Sequence, residues 1–117
     1  MATIRELEDQ MNQAILSGKA MELFETLYAD DCVMQENSEA PRVGKDACRD
    51  YEHKFFGMLE AFHGASVSNV CVDGDVSYAQ WELDFTLKGM PRIKYTQITQ
   101  RLWKDGKIAH ERFFYTR

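Results

Sequence analysis

His110 and Glu111 stand side by side in the run Ile108-Ala-His-Glu-Arg-Phe-Phe-Tyr115. An imidazole titrates near neutral pH and can take and return a proton. A carboxyl set in an apolar wall holds its proton more tightly and becomes a plausible general base. On a strand these two neighbours point to opposite faces, so a straight strand offers a site only one of them. Glu36, near the end of an earlier extended segment, is a third candidate. The expected acid–base residues are His110 and Glu36, with Glu111 replacing His110 if the faces reverse; His110 could also serve only as a hydrogen-bonding wall residue. Other chemistries find less support. His53, His63 and His110 lack ligand-like spacing, so no metal site is expected. Gly44-Lys45 lacks the earlier glycine of a phosphate loop, and Ser38, Ser66 and Ser77 have no nucleophile-elbow context. No cofactor is expected.

The elements that must position these residues can be read from periodicity. Thr3 and Glu6 form a capping box, after which Ile4, Leu7, Met11, Ala14 and Ile15 recur at helical spacing up to Gly18. A second helix carries Ala20, Phe24, Leu27 and Tyr28 on one stripe and ends at Asp30-Asp31. Residues 32–37 read as a short strand and 38–44 as a loop. A third helix runs over residues 45–59, with Ala47, Tyr51, Phe55 and Met58 on one side. The rest is strand: 66–72, 76–88, 93–104 and 107–115. Asp105-Gly106 between the last two is a strong two-residue hairpin signal. Helices first and consecutive antiparallel strands after them mean an α+β fold, with three N-terminal helices packed on one face of a sheet.

The hairpin sets a register. A two-residue turn pairs Trp103 with Ile108 and, on a regular ladder, Arg101 with His110, Thr99 with Arg112 and Gln97 with Phe114. A three-residue loop at Gly89 to Pro91 pairs Leu83 with Gln97. One face then collects Trp81, Leu83, Phe85, Tyr95, Trp103 and Phe114, with Gln97, Arg101, His110 and Arg112 embedded among them. That is the composition of a small-molecule pocket. In it Trp81 and Phe114 would be apolar walls, and Tyr95, Gln97 and Arg101 would hold a ligand oxygen. The other face, with Ile98, Leu102, Glu111, Phe113 and Tyr115, is more apolar than solvent requires and suits a second subunit. A bulge would reverse the assignment.

Composition bounds the class. The chain has 117 residues, 44% of them hydrophobic, which suits one domain over residues 1–117 with its own core. No apolar run is long enough to span a membrane, and the charged first residues lack an apolar signal core. Cys32, Cys48 and Cys71 form no C-x-x-C pair, which suits buried thiols in a reducing cytoplasm. Residues 1–40 carry a net charge of −7 and residues 41–117 a net of +2. The basic C-terminal third raises nucleic-acid binding, but a pI near 5.1 argues against it. Neither nucleic acid nor membrane is an expected partner.

The order of elements and several runs resemble the nuclear transport factor 2-like superfamily, and within it the SnoaL-like group. The runs are Leu27-Tyr-Ala-Asp-Asp-Cys-Val-Met34, Pro41-Arg-Val-Gly-Lys-Asp-Ala47, Trp81 in the long strand, and Trp103-Lys-Asp-Gly-Lys-Ile108 leading to His110-Glu-Arg-Phe-Phe-Tyr115. The resemblance implies a cone-like α+β barrel: three helices against a strongly curved antiparallel or mixed sheet, with a deep pocket between them. It implies a homodimer joined through the outer sheet face. It also implies either acid–base chemistry of the isomerase, cyclase or hydratase/hydrolase type on an apolar carbonyl- or hydroxyl-bearing ligand, or a non-catalytic ligand-binding or interaction module.

Overall fold

A computed structural model describes residues 1–117. Helix α1 spans Ile4–Leu16, α2 Ala20–Leu27 and α3 Lys45–Met58; the strands are β1 Tyr28–Glu36, β2 Arg42–Val43, β3 Leu59–Asp73, β4 Val76–Leu87, β5 Ile93–Lys104 and β6 Lys107–Tyr115. The Thr3 hydroxyl accepts from the Glu6 amide while the Glu6 carboxylate accepts from the Thr3 amide, so both halves of the capping box form. The α1–α2 turn passes through Gly18 at φ +77°, a left-handed conformation that suits glycine. The six strands form one sheet in the order β2-β1-β6-β5-β4-β3. All neighbours are antiparallel except β1 and β6, which run parallel. The sheet is therefore mixed, and it is strongly curved without closing. Strand β3 slips register at three places along its pairing with β4, which lets its 15 residues bend around the helices.

Two register details decide which side chains face inward. Between β4 and β5 the loop is longer than three residues, so Leu83 pairs with Tyr95 and Trp81 with Gln97. That slip of two residues keeps every side chain on its expected face. Between β5 and β6, Asp105 and Gly106 turn at φ +54° and +76°, and Trp103 pairs with Ile108 as expected. The next pair is Leu102 with His110, leaving Ala109 as an extra residue on β6. This bulge moves all later residues of β6 to the opposite face from the regular ladder. It allows Ile108 and Glu111, which a regular strand would turn to opposite faces, both to point inward, where both are fully buried.

One end of the cone is packed solid. Met11, Phe24, Leu27, Tyr28, Cys32, Met34, Cys48, Trp103 and Ile108 form a single buried cluster there. The other end is hollow, and Phe56 and Phe62 of its lining are exposed. No helix is long and apolar enough to cross a membrane.

Candidate functional site

A cavity of about 190 Å³ lies between the concave sheet face and the helices. It is somewhat larger than the roughly 150 Å³ cavity that accepts a benzene-sized molecule. Seventeen of its 24 lining residues are hydrophobic, so a ligand meets mostly apolar wall. Trp81, Leu83 and Phe85 come from β4, Tyr95 and Gln97 from β5, and Tyr51, Phe55 and Phe56 from α3. Phe55 meets Phe85 edge-on at 5.4 Å, and Phe85 meets Tyr95 edge-on at 5.8 Å. The polar lining is Glu36, Glu52, Gln97, Thr99, Arg101, Glu111 and Arg117.

Arg101 anchors the floor. It is 1% exposed, and its Nε donates to Glu111 Oε2 at 2.6 Å. Its Nη1 donates to Glu8 Oε1 at 3.1 Å and to Asn12 Oδ1 at 2.8 Å. Glu8 also accepts from Ser77 Oγ and Asn12 Nδ2, and Trp103 Nε1 donates to Ser77 Oγ. The Tyr28 hydroxyl donates to the Glu111 carboxylate at 2.7 Å. Burial alone would raise the Glu8 pKa, but Arg101 and the Ser77 and Asn12 hydrogen bonds hold it below the usual carboxylate value. Burial, with the neighbouring Glu111 charge, pushes the Tyr28 phenol well above its ordinary value. The floor is thus a buried carboxylate–guanidinium–carboxylate triad with a phenol donor.

Glu52 stands apart from this triad. It projects from α3, where Cys48, Tyr51, Phe55 and Phe56 make the surrounding stripe, into the same cavity. No neighbour hydrogen-bonds its carboxyl. Burial first, then the Glu111 and Glu36 charges, push its pKa up to about 8, against a smaller lowering by Arg42. At neutral pH Glu52 is mostly a neutral acid, able to donate a proton.

Glu36 ends β1 and is half-buried. Its carboxylate accepts from Arg42 Nη2 at 2.9 Å and from the Tyr115 hydroxyl at 3.1 Å. The Arg42 guanidinium lies 3.5 Å over the Tyr51 ring. Asn37, at φ +48°, closes the strand by donating its amide to Phe113 O and accepting from the Tyr115 amide. The Glu36 pair is therefore fixed to the end of β6.

Of the residues read from sequence as a site, Glu36, Trp81, Tyr95, Gln97 and Arg101 line the cavity. His110, Arg112 and Phe114 do not, and their expected inward placement is corrected. The Ala109 bulge turns all three outward and brings Glu111, Phe113 and Tyr115 to the inner face. Arg112 Nε donates to Asn37 O, and its guanidinium lies 4.7 Å over the exposed Phe114 ring. Arg101 lines the cavity, but as the centre of the floor triad, with its Nε and Nη1 bonded to protein groups. Sequence reading missed Glu52, Glu8 and Tyr28. The signal for Glu52 was available: it is a carboxylate inside the stripe Cys48-Tyr51-Phe55-Phe56. His, Cys, Asp and Glu side chains form no group of three or more that could hold a metal.

A curved mixed sheet wrapped by three helices around an apolar cavity with carboxyls at its floor defines a pocket fold of the nuclear transport factor 2-like type. The chain belongs to the SnoaL-like domain family, whose profile matches residues 2–115. Among solved structures it is similar to a SnoaL-like protein of Mesorhizobium loti, provisionally described as a polyketide cyclase. That match has 29% identity, a TM-score of 0.88, and covers 97% of this chain and 100% of the other. A Xanthomonas campestris protein of unknown function with a cystatin-like fold shares 18% identity at a TM-score of 0.86, over 100% and 92% of the two chains. A Catenulispora acidiphila protein with a ketosteroid-isomerase-like fold, solved in complex with trimethylamine, shares 18% identity at a TM-score of 0.78, over 97% and 88%. No curated protein matches the chain.

Proposed function

We propose that the protein binds a small, largely apolar molecule carrying a carbonyl or hydroxyl group and moves a proton on it, in a reaction of the isomerase, cyclase or hydrolase type. The observation that carries this reading is the neutral acid Glu52 sharing one small aromatic cavity with the Glu36 carboxyl. Two carboxyls in unlike environments can divide the work of acid and base. Glu52, protonated at neutral pH, donates to the ligand oxygen; Glu36 takes the proton from carbon. The walls are mostly apolar, and Gln97, whose amide also donates to the Thr99 hydroxyl, adds a polar group at the inner sheet face. The cavity volume favours a ligand of one ring over a fused-ring system.

The test is deuterium exchange of carbon-bound protons next to the carbonyl, followed by NMR over a panel of small cyclic ketones. The expected result is catalysed exchange that falls on the order of 100-fold or more in Glu36→Gln with binding retained. Binding without exchange for any ketone would favour the alternative, a non-catalytic ligand carrier using the same cavity.

The protein is further proposed to be a cytoplasmic homodimer joined through the outer sheet face. Exposed Leu102 and Phe114 on that face support this, as do three free cysteines, two of them buried. Phe114→Glu is expected to yield monomer by light scattering, with the fold unchanged by circular dichroism. A persistent dimer would place the interface elsewhere.

A further inference from the structure

We propose that the ligand of this cavity is a small keto acid, its carboxylate received by the Arg117 guanidinium and its carbonyl by Glu52. The inference rests on the proton-transfer reading above and names the ligand class of that same site. It starts from the charged groups of the cavity taken one by one, with Glu52 as the neutral acid. Arg101 is held between Glu8 and Glu111, and the surplus carboxylate charge of that triad is met by the Tyr28, Ser77 and Asn12 donors. Glu36 is met by Arg42 and by the Tyr115 hydroxyl. Arg117 lines the same cavity and takes part in none of the ion pairs of the chain. It is the one charged group of the lining without a partner of opposite sign.

The surroundings of Arg117 leave it free to take one. Its guanidinium lies 5.6 Å from the Phe85 ring, 5.1 Å from Tyr95 and 4.7 Å from Tyr115. Burial raises the Tyr51, Tyr95 and Tyr115 phenols, and the Arg117 charge opposes the rise in each, so that charge stands among all three. A guanidinium can rest its face on a ring while its N–H edge makes two parallel hydrogen bonds to a carboxylate. Arg117 is exposed, so a carboxylate beside it keeps part of its contact with water and costs less to bind there than one buried at the floor. No second free cation lines the cavity, which suits a singly charged planar group better than a phosphate dianion.

The cavity then recognises two groups at two places. The charges acting on Glu52 are those of Glu111, Glu36 and Arg42, and Arg117 is not among them. The neutral acid and the guanidinium thus stand apart, as the carbonyl and the carboxylate of one ligand must. A ligand anion disfavours ionisation of Glu52 instead of promoting it. Binding therefore keeps on Glu52 the proton that it donates to the carbonyl oxygen. The apolar walls between them take the carbon skeleton of the acid, of about one ring.

The experiment is calorimetric titration, at neutral pH and low salt, with cyclohexanones that carry a ring carboxylate, in each positional isomer, and with the matching primary carboxamides. The amide keeps the shape and removes the charge. At least one carboxylate is expected to bind about tenfold more tightly than its amide. Arg117→Gln should reduce that preference to about twofold or less. Lys94→Gln removes the same charge from an exposed position on β5, on the face opposite Tyr95, and should leave the preference intact. Amides that bind as tightly as their carboxylates would overturn the keto-acid assignment and leave the proton-transfer reading, which exchange on neutral ketones tests separately. A preference that survives Arg117→Gln, or that Lys94→Gln abolishes equally, would remove Arg117 as the receiving group and overturn the assignment as stated. If no member of the set binds at millimolar concentration while neutral ketones still undergo catalysed exchange, the keto-acid class is wrong; if exchange is absent as well, both readings fall.

Discussion

Glu52→Gln is expected to stabilise the protein above about pH 8 by on the order of 3–5 kcal/mol, while changing little below about pH 5. The sign follows from where the proton sits. An ordinary glutamate gives up its proton near 4.5, but burial and the Glu111 and Glu36 charges keep the Glu52 proton on up to about 8. The folded state thus binds that proton more tightly than the unfolded chain. Its contribution to stability is full at acid pH, is lost progressively as pH rises from about 4.5 to about 8, and is gone above that. Glutamine has no proton to lose, so the variant lacks this decline. Glu8 works in the opposite direction: its lowered pKa gives stability present above the ordinary carboxylate value and lost as pH falls through its folded pKa. That contribution is common to both proteins and cancels in their difference. Urea unfolding of wild type and variant at three pH values checks the prediction. Parallel stability profiles would show that the Glu52 carboxyl is solvated as ordinary glutamates are, and would remove it as the neutral acid of the site.

The same residue marks the limit of what periodicity reveals. A stripe of Ala47, Tyr51, Phe55 and Met58 is enough to place α3 and to bring Tyr51 and Phe55 to the cavity, but Glu52 and Phe56, one position further around the helix, line it as well. Alternation located β4, β5 and β6 and their hairpin, and it named Trp81, Tyr95, Gln97 and Arg101 as inward because the β4–β5 slip is an even number of residues. It failed on β6, where one extra residue, Ala109, carries the opposite consequence. No local preference of the Ile108-Ala109-His110 run demands a bulge. The demand is tertiary: Ile108 must reach the apolar cluster and Glu111 must reach Arg101. A polar face of α1 was hidden for a related reason. Glu8 and Asn12 are four residues apart on a helix whose apolar stripe is complete without them, and Arg101 and Ser77 on distant strands account for their burial. The charge imbalance between the N-terminal and C-terminal parts of the chain thus has an internal meaning at one point, where an acidic helix meets a basic strand inside the fold.

Arg101→Met is expected to cost about 3–5 kcal/mol of stability or to abolish folding. Methionine nearly fills the space, so the loss is electrostatic rather than a cavity. Glu8 and Glu111 would each keep a carboxylate with almost no access to water, at 0% and 1% exposure. Tyr28, Ser77 and Asn12 would remain as their only donors. The control is a triple variant, Glu8→Leu with Arg101→Met and Glu111→Leu. Replacing a whole buried triad by apolar groups is often neutral or stabilising, because no ion then has to leave water. The triple variant should therefore recover most of the loss, less about 1–2 kcal/mol for the orphaned Tyr28, Ser77 and Asn12 groups. Denaturation midpoints with unchanged m-values read both effects. A single variant within about 1 kcal/mol of wild type would contradict the closed triad. The comparison also separates stability from function. Glu111 is the largest neighbouring charge that raises the Glu52 pKa. Removing it in the triple variant should move Glu52 toward an ordinary carboxylate and flatten the alkaline decline that Glu52→Gln also removes. A fold that survives without its triad while Glu52 loses its raised pKa would mean that the triad serves the chemistry of the cavity more than the stability of the chain.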